Sequence, residues 1–281
     1  MSESQVSAVN HDSQTAAKVR SGGFAAIVGQ WAIYQVRGLI QFSGIAVAVF
    51  RQSLRPLTWR RTVRAELLEQ CHQVGTRALP FILITGSLVG FGVVYQAIYW
   101  LGLFGQTEYT APILVTVLVR EVAPLFVALT VIARSGSVIL VELGNMRIDG
   151  QVRMLDAQGV DPFVFLIVPR VVAVSICMFS LTIAFITVAL VSGFLAGNAL
   201  GSMDFTLHDF VFGILSKMGP EDFAAIPLKS FTTGFVMALI ACTTGLSVSG
   251  SRSDLLAALP RCVTKSALAA LLISILLTLL L

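Results

Sequence analysis

Long apolar runs separated by short polar segments are the main pattern along the chain. Three windows are free of Asp, Glu, Lys and Arg over at least the roughly 20 residues that a helix needs to cross a bilayer: Leu79–Thr107, Val171–Met203 and Ser230–Ser251. The last window, Ser266–Leu281, is a little shorter but consists mainly of Leu, Ile and Ala, and the Lys265 ammonium at its base can extend to the interface. These windows predict four membrane-spanning helices.

A fifth apolar segment, residues 111–142, differs from the others because it contains the charged residues Arg120, Glu121 and Arg134. A charge at the bilayer centre costs about 2.5 to 3.5 kcal/mol, so charges inside a span usually mark a pathway, a cavity or a pair. With this segment included, the sequence predicts an all-α membrane protein with five transmembrane helices. We place these helices at about 79–104, 111–142, 166–200, 227–249 and 264–281.

The polar segments before and between these spans predict shorter elements. Residues 54–77 interleave apolar side chains with arginines, which is typical of a basic amphipathic helix in the headgroup plane, with Trp59 as an interface anchor. A solvated cytoplasmic helix is the alternative. Residues 1–53 are interpreted as a polar tail followed by an interfacial or re-entrant segment at 21–50. The polar stretch after the second span predicts a short cytoplasmic helix ending at Gly159, with an ordinary loop as the alternative.

Composition strengthens the membrane assignment. The 281 residues are 56% hydrophobic and 12% charged, whereas soluble domains carry roughly 25% charged residues, so this chain has too little polar surface to cover a soluble core. Lys and Arg outnumber Asp and Glu in the first 80 residues. The positive-inside rule therefore places the N-terminus in the cytoplasm and, after five spans, the C-terminus outside. Because the basic residues serve to orient the protein, we do not expect nucleic-acid binding.

The sequence offers no pattern for chemistry of its own. The four cysteines and three histidines are scattered, without a CxxC pair, an HExxH motif or the neighbours of a catalytic triad. A GxxxxGK[ST] phosphate-binding loop does not occur either. We therefore expect no catalytic residues, no metal site and no cofactor, and any ATP must be hydrolysed on a separate subunit.

The charges of the second span allow two interpretations. Arg120 and Glu121 are adjacent and would project about 100° apart on an α-helix, while Arg134 would return to nearly the face of Arg120 about 21 Å along the axis. In one interpretation, the arginines extend to opposite interfaces and pair with neighbouring helices. In the other, Arg120 and Glu121 border a cavity that accepts a charged or zwitterionic ligand.

An ordered series of short motifs resembles the MlaE permease family, and the similarity extends over about residues 54–272. The most specific motifs are Arg120-Glu121-Val-Ala-Pro124, Ala133-Arg134-Ser-Gly-Ser137, Glu142-Leu-Gly144 and Val168-Pro-Arg170. Members of this family are membrane subunits of MCE-associated ABC transporters that move lipids between bacterial membranes. The resemblance implies a permease domain over residues 54–281 in the bacterial inner membrane, with residues 54–77 as an elbow helix.

The resemblance also implies partners and candidate site residues. Family members form homodimers with lipid between the protomers, and a cytoplasmic coupling helix, here about 145–159, contacts an ABC ATPase subunit. An MCE-domain protein stands on the external side, and a STAS-domain protein joins in some members. The candidate substrate-binding residues are Phe91, Tyr95, Gln96, Tyr99, Arg120, Glu121 and Lys229. The candidate ATPase-coupling residues are Arg147, Gln151 and Asp156.

Two departures from the family pattern stand out. Asp149-Gly150 occupies the place of Thr-Glu in the coupling helix, and the usual acidic residue of the last span is absent. Two other functions remain open on the same residues. One is a proton-coupled secondary transporter in which Glu121 is the protonation site. The other is a membrane scaffold that does not transport, in which the charges only pack helices together.

Overall fold

A computed structural model describes residues 42–54, 61–105, 110–159, 161–199, 207–248 and 252–280. The chain divides into two compact units, residues 1–51 and 52–281. Residues 42–53 are helical. The tail and most of the interfacial or re-entrant segment predicted at 21–50 lie outside the described residues.

Five helices are long and apolar enough to cross a membrane, which confirms the predicted all-α membrane fold. The described residues contain no β-strand. In chain order, the spans are Val63–Leu103, Thr110–Ile148, Phe163–Asn198, Pro220–Ser247 and Arg252–Leu280, hereafter the first to fifth spans. Two shorter helices, Gln151–Ala157 and Leu207–Lys217, lie before and after the third span.

The first span continues without a break from the region that the sequence treats as a separate elbow helix. The α-helix Arg61–Cys71 passes through a π-helical turn, His72–Thr76, directly into Arg77–Leu103. The thiol of Cys177 in the third span donates a hydrogen bond to the carbonyl oxygen of Cys71 at 3.6 Å. The elbow region therefore packs on the third span as an extension of the first, whereas the sequence predicts a boundary near residue 77.

The second span alternates between α-helical and π-helical turns. Its segments are Thr110–Leu114 (α), Val115–Val122 (π), Ala123–Val131 (α), Ile132–Gly136 (π) and Ser137–Ile148 (α). Arg120 and Glu121 lie in the first π-helical segment and Arg134 in the second. A π-helical turn changes the rotation per residue, so the α-helical projection of these charges does not hold. Such turns are frequent at functional sites.

Glycines bring the first and third spans into close contact. A Cβ atom at Gly90 would lie 2.2 Å from the carbonyl oxygen of Ala189, and one at Gly193 would lie 2.4 Å from Cγ2 of Val94. Small residues at a helix interface allow such a close backbone approach in membranes. This contact determines the height of the first span against the third, and hence the level of the charged groups that both helices carry.

The predicted coupling helix at 145–159 is divided in two. The second span ends at Ile148, and the short helix Gln151–Ala157 begins after Gly150, which has φ +76°. Side chains rarely adopt this left-handed conformation, whereas glycine does so without a steric penalty. A single helix over 145–159 is therefore wrong, although the predicted end at Gly159, with φ +75°, is confirmed.

Candidate functional site

A buried lysine joins three spans at one end of the bundle. Only 4% of the Lys229 side chain is exposed. Its Nζ donates hydrogen bonds to Oε1 of Glu121 at 2.6 Å, to the carbonyl oxygen of Arg120 at 3.0 Å and to Oγ1 of Thr278 at 2.8 Å. An ammonium group has three donors, so Lys229 is fully satisfied despite its burial.

The carbonyl oxygen of Arg120 can accept this bond because of a proline. In a regular α-helix this oxygen would accept from the backbone N–H four residues later, but Pro124 occupies that position and has no N–H. The helix widens into π-helical turns over Val115–Val122, and the Lys229 ammonium takes the vacant acceptor. The spacing between Arg120 and Pro124 thus gives the fourth span a polar contact inside the second.

Glu121 is held by hydroxyl groups of the fifth span as well as by Lys229. Thr278 donates to its Oε1 at 2.6 Å, and Ser274 donates to its Oε2 at 3.1 Å. Ser274 and Thr278 are four residues apart and therefore share one face of the helix. Because these hydroxyls are neutral, the Glu121–Lys229 pair keeps its charge balance. The carboxylate is nevertheless 38% exposed.

Arg120 points to the opposite side of the same π-helical segment and pairs with the start of the fourth span. Its Nε contacts Oδ1 of Asp222, and its Nη2 lies 4.0 Å from Oε1 of Glu221. Asp222 is only 1% exposed, and its Oδ2 accepts the backbone N–H of Gly219 at 2.9 Å. Asp222 therefore caps the fourth span and positions Arg120, whose side chain remains 35% exposed.

These residues form one group, here named the Lys229 cluster. Its members are Arg120, Glu121, Asp222, Lys229, Ser274 and Thr278. The cluster contains two cations and two carboxylates. The buried members, Lys229 and Asp222, fix the other two charges, while Arg120 and Glu121 are accessible. The structure thus brings together the three charged residues that the sequence singled out as substrate-binding candidates.

The aromatic candidates lie apart from this cluster on the first span. Phe91, Tyr95 and Tyr99 are spaced four residues apart and form an exposed stripe with ring centroids 6.3 and 6.2 Å apart. Gln96 projects from a different face and lines a groove of about 640 Å³ between the first and second spans. The groove is otherwise mainly apolar, with Trp100 among its lining residues.

The groove reaches the π-helical segment that carries the charges. Val117 and Val122, which bracket Arg120 and Glu121 in sequence, line it together with Phe126. The second span therefore contributes to an apolar groove and to a charged cluster from the same few turns.

A second buried charge lies at the other end of the bundle and was not proposed as a site from the sequence. The Arg170 side chain is 1% exposed, and its Nη2 lies 3.0 Å from Oε1 of Glu142 and 3.4 Å from Oε1 of Glu66. Its Nη1 donates to the carbonyl oxygen of Leu166 at 3.0 Å. Within the described residues, Arg170 Nε and Glu142 Oε2 have no hydrogen-bond partner. We name Glu66, Glu142 and Arg170 the Arg170 cluster.

The three coupling candidates lie on either side of the helix break. Arg147 is in the last turn of the second span, and Gln151 and Asp156 are on the short helix that follows. All three are exposed. The short helix is attached by Val152, whose side chain is buried. The polar face of this segment is therefore free to contact another protein.

Comparisons with known proteins agree on one family. A sequence model described as Permease MlaE matches residues 67–280. A probable ABC transporter permease protein of Synechocystis sp. is 30% identical over 190 residues, which cover 68% of this chain and 72% of the relative. The chloroplast protein TRIGALACTOSYLDIACYLGLYCEROL 1 of Arabidopsis thaliana is 27% identical over 68% of this chain and 53% of its own length. The intermembrane phospholipid transport system permease protein MlaE of Haemophilus influenzae is 32% identical over 47% of this chain and 50% of its own length.

Proposed function

Because the chain belongs to the MlaE permease family, we propose that it is the membrane permease subunit of an ATP-driven ABC transporter that moves phospholipid, or a related lipid, between the inner and outer membranes. The names of its relatives support this function: several are probable ABC transporter permeases, and the Haemophilus influenzae protein belongs to a phospholipid transport system. The five apolar spans fit a subunit that works inside a membrane.

The Lys229 cluster is our candidate for the lipid headgroup site, and one observation carries this proposal. Arg120 and Glu121 are accessible charges of opposite sign, and each is held by a buried partner, Asp222 or Lys229. A preorganised guanidinium can bind a phosphate through two parallel hydrogen bonds. Glu121 can accept from an ammonium or hydroxyl group of the same headgroup.

The groove beside the cluster is the candidate site for an acyl chain. Its volume of about 640 Å³ lies within the roughly 300 to 1,000 Å³ of typical ligand pockets, and its mainly apolar lining suits a hydrocarbon. It is open toward the membrane on a single chain. We propose that a second copy of the chain closes the site, with the exposed stripe of Phe91, Tyr95 and Tyr99 at the lipid or at the other protomer.

The remaining partners follow from the proposed orientation. The N-terminus is cytoplasmic and the C-terminus periplasmic, as the excess of basic residues before the first span favours. An ABC ATPase then docks on the exposed segment with Arg147, Gln151 and Asp156. An MCE-domain protein contacts the opposite end of the bundle near the Lys229 cluster. A STAS-domain protein on the ATPase is a possible further subunit.

Lipid bound to the purified full-length protein tests the headgroup site. We expect Arg120→Ala and Glu121→Ala each to lower the phospholipid recovered per protomer, and the rate of lipid transfer, by about tenfold or more, because each removes a charge-assisted contact. Glu221→Ala is the matched control, since this carboxylate is exposed and lies 4.0 Å from Arg120. Unchanged lipid content and transfer in both variants would show that the cluster does not bind substrate.

The proton-coupled alternative is favoured by one contact, the 2.6 Å hydrogen bond from Lys229 to the partly exposed Glu121. A carboxylate beside a cation inside a span is typical of proton relays. Lipid transfer by proteoliposomes without any ATPase separates the two functions. Transfer that a pH gradient drives would support the secondary transporter, and transfer that requires ATP and the ATPase would support the permease. A scaffold would transfer no lipid under either condition.

A further inference from the structure

A second cationic site lies between the first and second spans, away from the Lys229 cluster. It is a cavity of about 130 Å³, the volume of roughly four water molecules at about 30 Å³ each. This space is sufficient for a phosphate group but too small for a whole lipid. Its polar lining consists of Gln70, Gln73, Arg77, Arg134 and Ser135.

The two arginines of this cavity differ from the other charges of the bundle. Arg170 has Glu142 as a partner and Lys229 has Glu121. In the part of the chain that the structure describes, neither Arg77 nor Arg134 has an acidic partner, and both are exposed. A cation at membrane depth without a counter-charge is costly. Two such cations at one small cavity therefore require an anion from outside the chain.

The level of the cavity along the bundle agrees for both helices. Arg77 lies 11 residues after Glu66, and Arg134 lies 8 residues before Glu142. At 1.5 Å per residue these separations correspond to roughly 16 and 12 Å from the Arg170 cluster, measured along helices that run in opposite directions. Arg77 also precedes the charge-free part of the first span. The cavity is therefore where the bundle leaves the headgroup region and enters the hydrocarbon.

An apolar surface continues from the cavity into the membrane. Val138, at the rim, is exposed. Phe81 and Ile84, four and seven residues after Arg77 and on its face of the helix, are exposed as well. Cationic groups with an apolar surface on the hydrocarbon side match a phospholipid, whose phosphate is followed by acyl chains. Basic pockets between transmembrane helices bind anionic headgroups in this manner.

We propose that Arg77 and Arg134 bind the phosphate of an anionic phospholipid at the surface of the protein, in a site separate from the transport pocket. By the orientation proposed above, this lipid belongs to the cytoplasmic leaflet. Gln70 connects the site to the Arg170 cluster, because its Nε2 donates to Oε1 of Glu66 at 3.0 Å. A lipid bound here holds the first and second spans together beside the helix ends that approach the ATPase.

Lipid titration of the full-length protein in detergent tests this site by native mass spectrometry. We expect phosphatidylglycerol to bind at a concentration about tenfold lower than phosphatidylcholine, because phosphatidylglycerol has no compensating positive charge. The double variant Arg77→Gln/Arg134→Gln should bind one phosphatidylglycerol fewer per protomer. Arg77→Lys/Arg134→Lys should retain most of that binding, and Arg64→Gln, an exposed arginine of the same helix, should leave it unchanged.

Three results would overturn the proposal. Equal binding of phosphatidylglycerol and phosphatidylcholine to the unaltered protein would remove the anionic selectivity, and this measurement needs no variant. Unchanged phosphatidylglycerol binding in the glutamine double variant would remove the two arginines. Binding of inorganic phosphate without binding of phosphatidylglycerol would identify a site for free phosphate. Failure of the transport proposal would leave these outcomes intact, because none of them depends on lipid transfer.

Discussion

The Lys229 cluster and the Arg170 cluster each contain a buried cation, but they satisfy it differently. Lys229 has three oxygen partners, and its carboxylate Glu121 is accessible. Arg170 is enclosed, and within the described residues its Nε and one oxygen of Glu142 lack partners. The clusters are separated by roughly 30 Å along the second span, which carries Glu121 and Glu142 at 1.5 Å per residue.

This difference suggests different tasks for the two ends of the bundle. A fully satisfied buried cation that holds an accessible charge is suited to present that charge to a ligand. A closed ion pair with unpaired atoms retains part of the desolvation cost of burial, about 1 to 3 kcal/mol for each unsatisfied group. It connects the first, second and third spans and gives these helices a contact that can rearrange. We assign ligand binding to the Lys229 cluster and helix positioning to the Arg170 cluster.

The largest effect should come from Arg170→Met. It leaves the Glu66 and Glu142 carboxylates facing each other without a cation, and removing one partner of a buried ion pair costs about 3 to 5 kcal/mol. We expect a loss near the lower end of this range, since both carboxylates retain some access to solvent. Unfolding of the purified protein in mixed micelles measures the change.

The matched control for Arg170→Met is Arg153→Met, because Arg153 is an exposed arginine on the short helix after the second span. Equal free energies of unfolding for the two variants would mean that the Arg170 cluster does not hold the helices together.

A smaller loss of stability should follow from changing the helix contact that aligns this cluster. Gly90→Ala places a Cβ atom against the backbone of Ala189, and overpacking of this kind costs about 1 to 3 kcal/mol. Gly92→Ala is the control, because nothing lies within 4 Å of the added atom. If Gly90→Ala unfolded at the same detergent composition as Gly92→Ala, the close approach of the first and third spans would be disproved.

The smallest effect should come from Thr278→Val in the Lys229 cluster. The substitution removes one donor to Glu121 and one acceptor for Lys229, and a hydrogen bond contributes about 0.5 to 1.5 kcal/mol. Because Glu121 is accessible, water can replace the lost donor, so stability should change little while lipid retention falls. Both quantities can be measured on the same preparation.

Thr264→Val serves as the control for Thr278→Val, since the described hydrogen bond of Thr264 goes only to the carbonyl oxygen of Pro260 in its own helix. A larger loss of stability than of bound lipid in Thr278→Val would contradict the assignment of this cluster to ligand binding.

Much of the fold could be predicted because membrane insertion depends on local composition. The five spans follow from the absence of charge over windows of about 20 residues, and Arg120 and Glu121 stand out because they interrupt one. The end of a helix at Gly159 and the weak helix at Gly150 could also be read from the sequence. In each case the physical cause lies within a few residues of the effect.

The contacts that build the site could not be predicted in the same way. Asp222 and Thr278 reach the second span from helices that are 102 and 157 residues away from their partners, and helical periodicity does not assign such pairs. Pro124, four residues after Arg120, was an available signal for a free carbonyl oxygen. The pairing of Glu66 with Arg170 was missed because each residue was assigned to a separate element.

Lipid transfer by the reconstituted transporter with its ATPase, carrying the double substitution Glu121→Gln/Lys229→Met, tests the central claim most directly. Replacing both charges together leaves no unpaired ion, so the protein should insert and unfold much like the unaltered protein. Our account predicts a folded transporter whose phospholipid transfer falls by about tenfold or more. Transfer at the unaltered rate by this folded variant would contradict the role of the Lys229 cluster in holding the lipid.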